Sequence, residues 1–347
     1  MTRALLIGTY TQKVPDVDGH GDGIVSAVFD GEMVADAVLA APLANPSWLT
    51  ANADGSRVYS VLETAPDGWV AAFARDGSGA LSPLGTVSAG GAEPAHLTLD
   101  PSERFLVVGT YSGGSISVIA LDDDGALGER VAFVQHRGSG PDARRQEGPH
   151  VHQLSFDPIT GDLVVVDLGL GQVLFYGFGS NGQLTLRPEA TISLGAAGPR
   201  HLAFHPDGQH AFVVNELGNT VDVLRRSGDR FERVGGASTR PADATGDSTT
   251  AAVRVSPSGA TVFVTNRGDD TVAVFSFDAA DGLTLVATEP TRGKAPRDLI
   301  VTPDGDRVLV ANQDTDSVAV FSFDEETRSF EFLSLAPVPT PVCLRLV

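Results

Sequence analysis

The fold is decided by the stretch Gly198-Pro-Arg-His-Leu-Ala-Phe-His-Pro-Asp-Gly208, continued by Ala211-Phe-Val-Val-Asn-Glu216 and Thr220-Val-Asp-Val-Leu224. Its short apolar runs alternate with period two and are joined by Gly-containing turns, the pattern of antiparallel hairpins. The same grammar returns in Ala295-Pro-Arg-Asp-Leu-Ile-Val-Thr-Pro-Asp-Gly305, then Val308-Leu-Val-Ala-Asn-Gln313 and Ser317-Val-Ala-Val-Phe321. It recurs again from Pro46, Pro94, His150 and Val253. The turn glycines Gly161, Gly208, Gly259 and Gly305 are spaced by 47, 51 and 46 residues. At about 48 residues per unit, the 347-residue chain holds about seven units, a repeat length used by propeller blades. No 3.6-residue period persists over about 12 residues, which disfavours a helical repeat. An all-β, seven-bladed propeller spanning 1–347 as a single domain is therefore expected.

Closure of the ring is also written in the chain. Leu5 to Tyr10, Gly23 to Phe29 and Met33 to Ala40 read as the second, third and fourth strands of a blade that lacks its innermost strand. Pro341-Val-Cys-Leu-Arg-Leu346 follows the pattern of Pro199-Arg-His-Leu-Ala-Phe204 and can supply it. Pairing of the N- and C-terminal strands would remove exposed edges and lock the ring. Cys343 falls in that strand and reads as a small buried core residue.

Composition limits the partners. With 24 Lys or Arg against 44 Asp or Glu, the net charge is −20, which argues against nucleic acid, whose phosphates need clustered cations. A hydrophobic share of 42% allows a large core. One cysteine excludes an intramolecular disulfide framework and a Cys-based metal cluster. The first apolar run is shorter than a secretory h-region, and no run reaches membrane-span length, so a soluble, cytoplasmic protein with no membrane partner is expected. So acidic a chain repels free anions at long range, and any anion site must be built locally.

Stacking the units in register exposes a polar ring. At the start of the first strands stand Ser47, Ala95, His152, Arg200, Ala251, Arg297 and Val342. Just past the second strands stand Glu63, Tyr111, Leu168, Glu216, Arg267 and Gln313, with Tyr10 completing the set. Inner strands line the channel of a propeller, so these side chains can converge. The charges are confined to a few adjacent blades, more lopsided than a purely structural ion-pair ring requires. Opening a cyclic ester needs a base to activate water and a fixed cation where charge builds on the carbonyl oxygen. Glu216 or His152 could be that base, and an arginine fork could hold the oxyanion or a substrate carboxylate or phosphate. The same groups would serve ring closure by a carboxylate onto a double bond.

The motifs Gly8-Thr-Tyr-Thr11, Asn45-Pro-Ser-Trp-Leu49, Arg145-Gln-Glu-Gly-Pro-His-Val-His152, Asp167-Leu-Gly169, Gly198-Pro-Arg-His201, Asn215-Glu-Leu217, Asn266-Arg-Gly268 and Ala311-Asn-Gln313 run over nearly the whole chain. Together they resemble the seven-bladed propeller lactonases, the family of bacterial 6-phosphogluconolactonases and fungal carboxymuconate-lactonising enzymes. The resemblance implies an active site of His152, Arg200, Glu216 and Arg267, with His150 competing for the histidine role. It implies a carboxylic-ester hydrolase with no cofactor and no metal, acting on a small anionic or sugar lactone, 6-phosphogluconolactone first. The alternatives are a cycloisomerase of carboxylated muconates and a non-catalytic binding propeller. One departure is Gly109-Thr110, where an Asn would be expected.

Arg145, His150, Arg297 and Gln313 are expected to bind substrate. Two local basic groups could build a phosphate site: the loop carrying Arg137, Arg144 and Arg145, and the set Arg292, Lys294 and Arg297. His201, His205 and His210 do not share one face of the strand and turn that hold them, which disfavours a metal site there. Asp122 to Gly125 reads as a hairpin turn, because the later Glu of a calcium loop is missing. Trp48 reads as packing between blades.

Overall fold

The computed structural model describes residues 2–14 and 17–347. Seven four-stranded antiparallel sheets form a ring. Blade 1 combines Arg3–Thr9, Gly23–Phe29 and Val34–Pro42 with the C-terminal strand Pro341–Leu346, which takes the innermost place beside Arg3–Thr9. Blade 2 runs from Leu49–Ala51 to Leu81–Ser88, blade 3 from Pro94–Leu99 to Leu127–Gln135, and blade 4 from Val151–Phe156 to Leu184–Leu186, where Ile192–Ser193 adds a short extra strand. Blade 5 runs from Pro199–Phe204 to Arg230–Ser238, blade 6 from Thr249–Val255 to Gly282–Pro290, and blade 7 from Pro296–Val301 to Ser329–Pro337. The closure expected from the two chain ends is the one observed, with Leu5 opposite Leu346 and Ile7 opposite Leu344. Cys343 is buried in that seam. Among the described residues, the helical content is three single-turn 3₁₀ segments, and no helix is long and apolar enough to cross a membrane.

The core is not one mass but a series of slabs between blades. Blades 1 and 2 meet through Leu6, Leu49 and Phe73, blades 5 and 6 through Phe212, Val253 and Phe275, and blades 7 and 1 through Leu309, Val320 and Ile7. Period-two alternation explains this arrangement. Each inner strand is covered on both faces by neighbouring blades, so its two sets of side chains feed two different slabs. The outermost strands are half exposed, as the pattern iieieeiie of Gly282–Pro290 illustrates.

Two local devices aim side chains into the channel. First, the pairing of first and second strands slips at one place in six blades, leaving Val342, Ala95, His152, Arg200, Ala251 and Arg297 as extra residues in bulges. A bulge turns the unpaired residue away from the sheet's normal faces, and all of these but Ala251 line the axial cavity. Second, a residue at the end of the second strand, the last or in blade 6 the next to last, is a buried polar anchor. Asn215 donates to Thr220 and Asp222, Asn266 to the Thr239 carbonyl, and Asn312 to the Thr291 carbonyl. Thr110 does this work in blade 3 through Ser115, which accounts for the missing Asn. With the anchor fixed, the next residue must turn to the channel, as Glu216, Arg267 and Gln313 do. Gly198 tightens this geometry in blade 5. Its φ of +65° suits glycine, and a Cβ there would lie 2.5 Å from Leu217.

Candidate active site

The bulge residues and the residues after the second strands converge on a central cavity of about 600 Å³. One wall is built by blades 4 to 6. Glu216 is almost fully buried and meets three guanidinium groups: Arg145 Nη2 lies 2.7 Å from Oε1, while Arg200 Nε and Arg267 Nη2 each lie 3.0 Å from Oε2. Blade 6 backbone holds two of these cations in place. The Ala251 carbonyl accepts from Arg200 at 2.7 Å and the Thr250 carbonyl from Arg267 at 3.1 Å. Burial alone would push the Glu216 carboxyl up, but Arg267, Arg200 and Arg145 outweigh it and hold the group well below the usual carboxylate range. Burial and the nearby Arg267 push Arg200 down to about 9, which leaves it charged at neutral pH. Three cations around one anion give this wall an excess of positive charge inside a chain of net charge −20.

His152 lines the same wall, edge-on to Tyr111 and His201 at 5.6 and 5.3 Å between ring centroids. Its Nδ1 is buried without a hydrogen-bond partner among the described residues. Burial and Arg200 push its pKa well below the ordinary histidine value, so at neutral pH it is a neutral imidazole able to accept a proton. Glu216, with both oxygens engaged and its ionised form so favoured, is the poorer base.

The opposite wall comes from blades 1, 2 and 7. Arg297 donates to the Tyr10 hydroxyl at 2.8 Å and to Gln313 Oε1 at 3.2 Å. Tyr10 in turn donates to Glu63 Oε2 at 2.9 Å, and the Ser47 hydroxyl donates to the same oxygen. Burial pushes the Glu63 carboxyl up despite Arg297, Ser47 and Tyr10.

Of the residues expected at the site, His152, Arg200, Glu216, Arg267, Arg145, Arg297 and Gln313 all line the cavity. His150 does not. Its ring stacks behind Tyr111 at 4.3 Å, with Nδ1 on the Tyr111 carbonyl and Nε2 on Glu147. Regular alternation would put His150 and His152 on the same face; the extra residue at His152 breaks it, sending that ring to the channel and leaving His150 behind Tyr111. Each basic group contributes one member: Arg145 and Arg297 reach the cavity, whereas Arg292 is exposed and paired with Glu289. Trp48 packs against the slabs flanking blade 2 and also lines the cavity, its ring tilted 31° to that of His96 at 4.3 Å. Tyr10, Ser47 and Glu63 stood in the aligned registers but were not singled out, because register shows residue type and not partners.

Among the described residues, one cluster has metal-ligating spacing, His205, Asp207 and His210, with ligand atoms within 4.8 Å of one another. It lies in the turn at the far end of the two strands that carry Arg200 and Glu216. The Asp207 carboxylate accepts there from His210 Nδ1 and from the backbone of Gln209 and His210, as a turn-capping carboxylate does, while its own N–H donates to His205 Nδ1. His201 is elsewhere, lining the cavity beside His152.

Comparison with known proteins agrees with this geometry. The profile of the family described as "Lactonase, 7-bladed beta-propeller" matches residues 4–346. The 6-phosphogluconolactonase of Bacillus subtilis (strain 168) is 34% identical, over 98% of this chain and 97% of its own. The periplasmic gluconolactonase PpgL of Pseudomonas aeruginosa superposes with a TM-score of 0.92 at 30% identity, covering 100% of this chain and 99% of its own. A Lactobacillus plantarum protein of known structure superposes with a TM-score of 0.92 at 33% identity, over the full length of both chains. The ring thus has its counterpart in one group of proteins, and the chain belongs to the seven-bladed β-propeller lactonase family.

Proposed function

We propose that this protein hydrolyses a sugar lactone carrying an anionic substituent, with 6-phosphogluconolactone the first substrate to test. The observation that supports this reading is the wall of Arg145, Arg200 and Arg267 around Glu216, beside the neutral His152. The His152 imidazole takes a proton from water as its oxygen attacks the lactone carbonyl. Arg200 and Arg267, held by backbone carbonyls before substrate arrives, receive the charge that develops on the carbonyl oxygen. Glu216 keeps those cations in position and takes no proton. Arg297 and Gln313 anchor the anionic substituent on the other wall. Among the described residues, no carboxylate lies within ion-pairing distance of Arg297, which frees its charge for a ligand.

Proton release from freshly formed lactone tests the reading, measured with and without the phosphate. The protein is expected to exceed the spontaneous rate, and Arg200→Ala to cut kcat/KM by about 100- to 1000-fold, the usual loss for one oxyanion donor. No acceleration on either lactone would overturn the reading. Ultraviolet loss of a muconate diene would replace it with cycloisomerisation.

A further inference from the structure

We propose that Glu63 is the acid that protonates the leaving ring oxygen of the lactone, and that Tyr10 and Ser47 are the positioning residues that make it one. This inference rests on the lactonase reading above. The geometry that carries it is the division of labour between the two oxygens of Glu63. Oε2 accepts from Tyr10 at 2.9 Å and also from Ser47, which fills both of its lone pairs. Oε1 has no hydrogen-bond partner among the described residues, and Glu63 lines the cavity. A protonated Glu63 must therefore carry its proton on Oε1, pointing at whatever occupies the funnel. Burial favours that protonated form. After the proton leaves, the new carboxylate is stabilised in place by the same two hydroxyls and by Arg297 acting through Tyr10.

The substrate's own connectivity places its ring oxygen on this side. In a sugar δ-lactone, the ring oxygen joins the carbonyl carbon to the carbon bearing the terminal arm. With the carbonyl on the Arg200 and Arg267 wall and the arm's anion on Arg297, the ring oxygen faces Glu63. The steps balance. Water adds its oxygen to the carbonyl carbon and gives one proton to His152. The bond from carbonyl carbon to ring oxygen then breaks, its electron pair stays on the ring oxygen, and Glu63 supplies the proton. The product is a hydroxy acid, and His152 returns its proton to Glu63 through solvent.

The test compares leaving groups. Glu63→Gln keeps the side-chain volume and an oxygen for Tyr10 and Ser47, but its amide cannot give up a proton. Gluconolactone expels an alkoxide and needs the acid, whereas dihydrocoumarin expels a phenoxide, which leaves without help. The expected result is a loss of about 100-fold or more in kcat for gluconolactone and of less than about fivefold for dihydrocoumarin. Equal losses on both, or no loss on gluconolactone, would overturn the assignment. A second readout does not depend on that variant. The groups facing Glu63 are Tyr10, Ser47, Arg297 and Glu93. Removing the Tyr10 hydroxyl in Tyr10→Phe disfavours the carboxylate, so the alkaline limb of kcat should move to higher pH, and an unmoved limb would contradict the proposal. A wild-type protein inactive on these two lactones and on 6-phosphogluconolactone would instead remove the lactonase reading itself.

Discussion

Glu216 and Glu63 occupy the same register, one residue past a second strand, in blades on opposite sides of the ring. They meet opposite fates. Glu216 is surrounded by three guanidinium groups and is held ionised, whereas Glu63 is half-buried among hydroxyls and pushed toward its neutral form. The strand geometry that delivers them is the same, so the difference lies in which side chains the surrounding strands bring alongside. Blades 5 and 6 place Arg200 and Arg267 against Glu216, while Ser47 stands beside Glu63. Two like residues in unlike surroundings are how one site holds both a fixed charge and a movable proton at one pH.

The largest expected contrast is in stability. Glu216→Gln leaves three guanidiniums crowded around a neutral amide and should lower stability by about 3–5 kcal/mol, the usual result of breaking a buried ion cluster. Glu63→Gln should cost nothing at pH 7, since it replaces a group whose charge is disfavoured by burial. Thermal melts of the two variants check this, and equal losses would erase the distinction between the walls.

Next in size is the dependence on pH. His96, His152 and His201 all have folded pKa values well below the ordinary histidine value, chiefly through burial. A group with a depressed folded pKa contributes its full stability above the unfolded pKa and loses it as pH falls. The melting temperature should therefore drop as pH decreases below about 6.5. His201→Asn should flatten that slope by about one proton's share. Glu63 has the opposite sign: its raised folded pKa means that ionisation above the usual carboxylate range costs stability. The melting temperature of Glu63→Gln relative to the parent should therefore rise with pH across that range.

The smallest effect separates two members of one basic group. Arg292→Ala should change kcat/KM by less than about twofold, because the side chain is paired with Glu289 outside the cavity. Arg297→Ala should raise KM for the phosphorylated lactone far more than for the plain one. Comparable effects of both variants would mean that the anion is anchored elsewhere.

The ring and its closure could be read from the chain because a propeller repeats its own rules. The spacing of Gly208, Gly259 and Gly305 counts blades, and Pro341–Leu346 carries the pattern of a first strand with no blade of its own. The cavity residues were legible for the same reason, as one register in every unit. What the sequence could not show was the bulge. Alternation alone leaves His150 and His152 open, and only the slip in pairing at His152 sends that ring to the channel and His150 behind Tyr111. Partnership was equally hidden. Glu63, Tyr10 and Arg297 are hundreds of residues apart at the extremes, and their hydrogen-bonded chain exists only because blades 1 and 7 close beside blade 2.

A structure with the hydrolysis product bound would test the two-walled site most directly. The account predicts the product carboxylate against Arg200, Arg267 and His152, with the freed hydroxyl facing Glu63 Oε1 and any phosphate on Arg297. A product bound in the reverse sense, with its carboxylate on the Glu63 wall, or bound outside the funnel altogether, would contradict it.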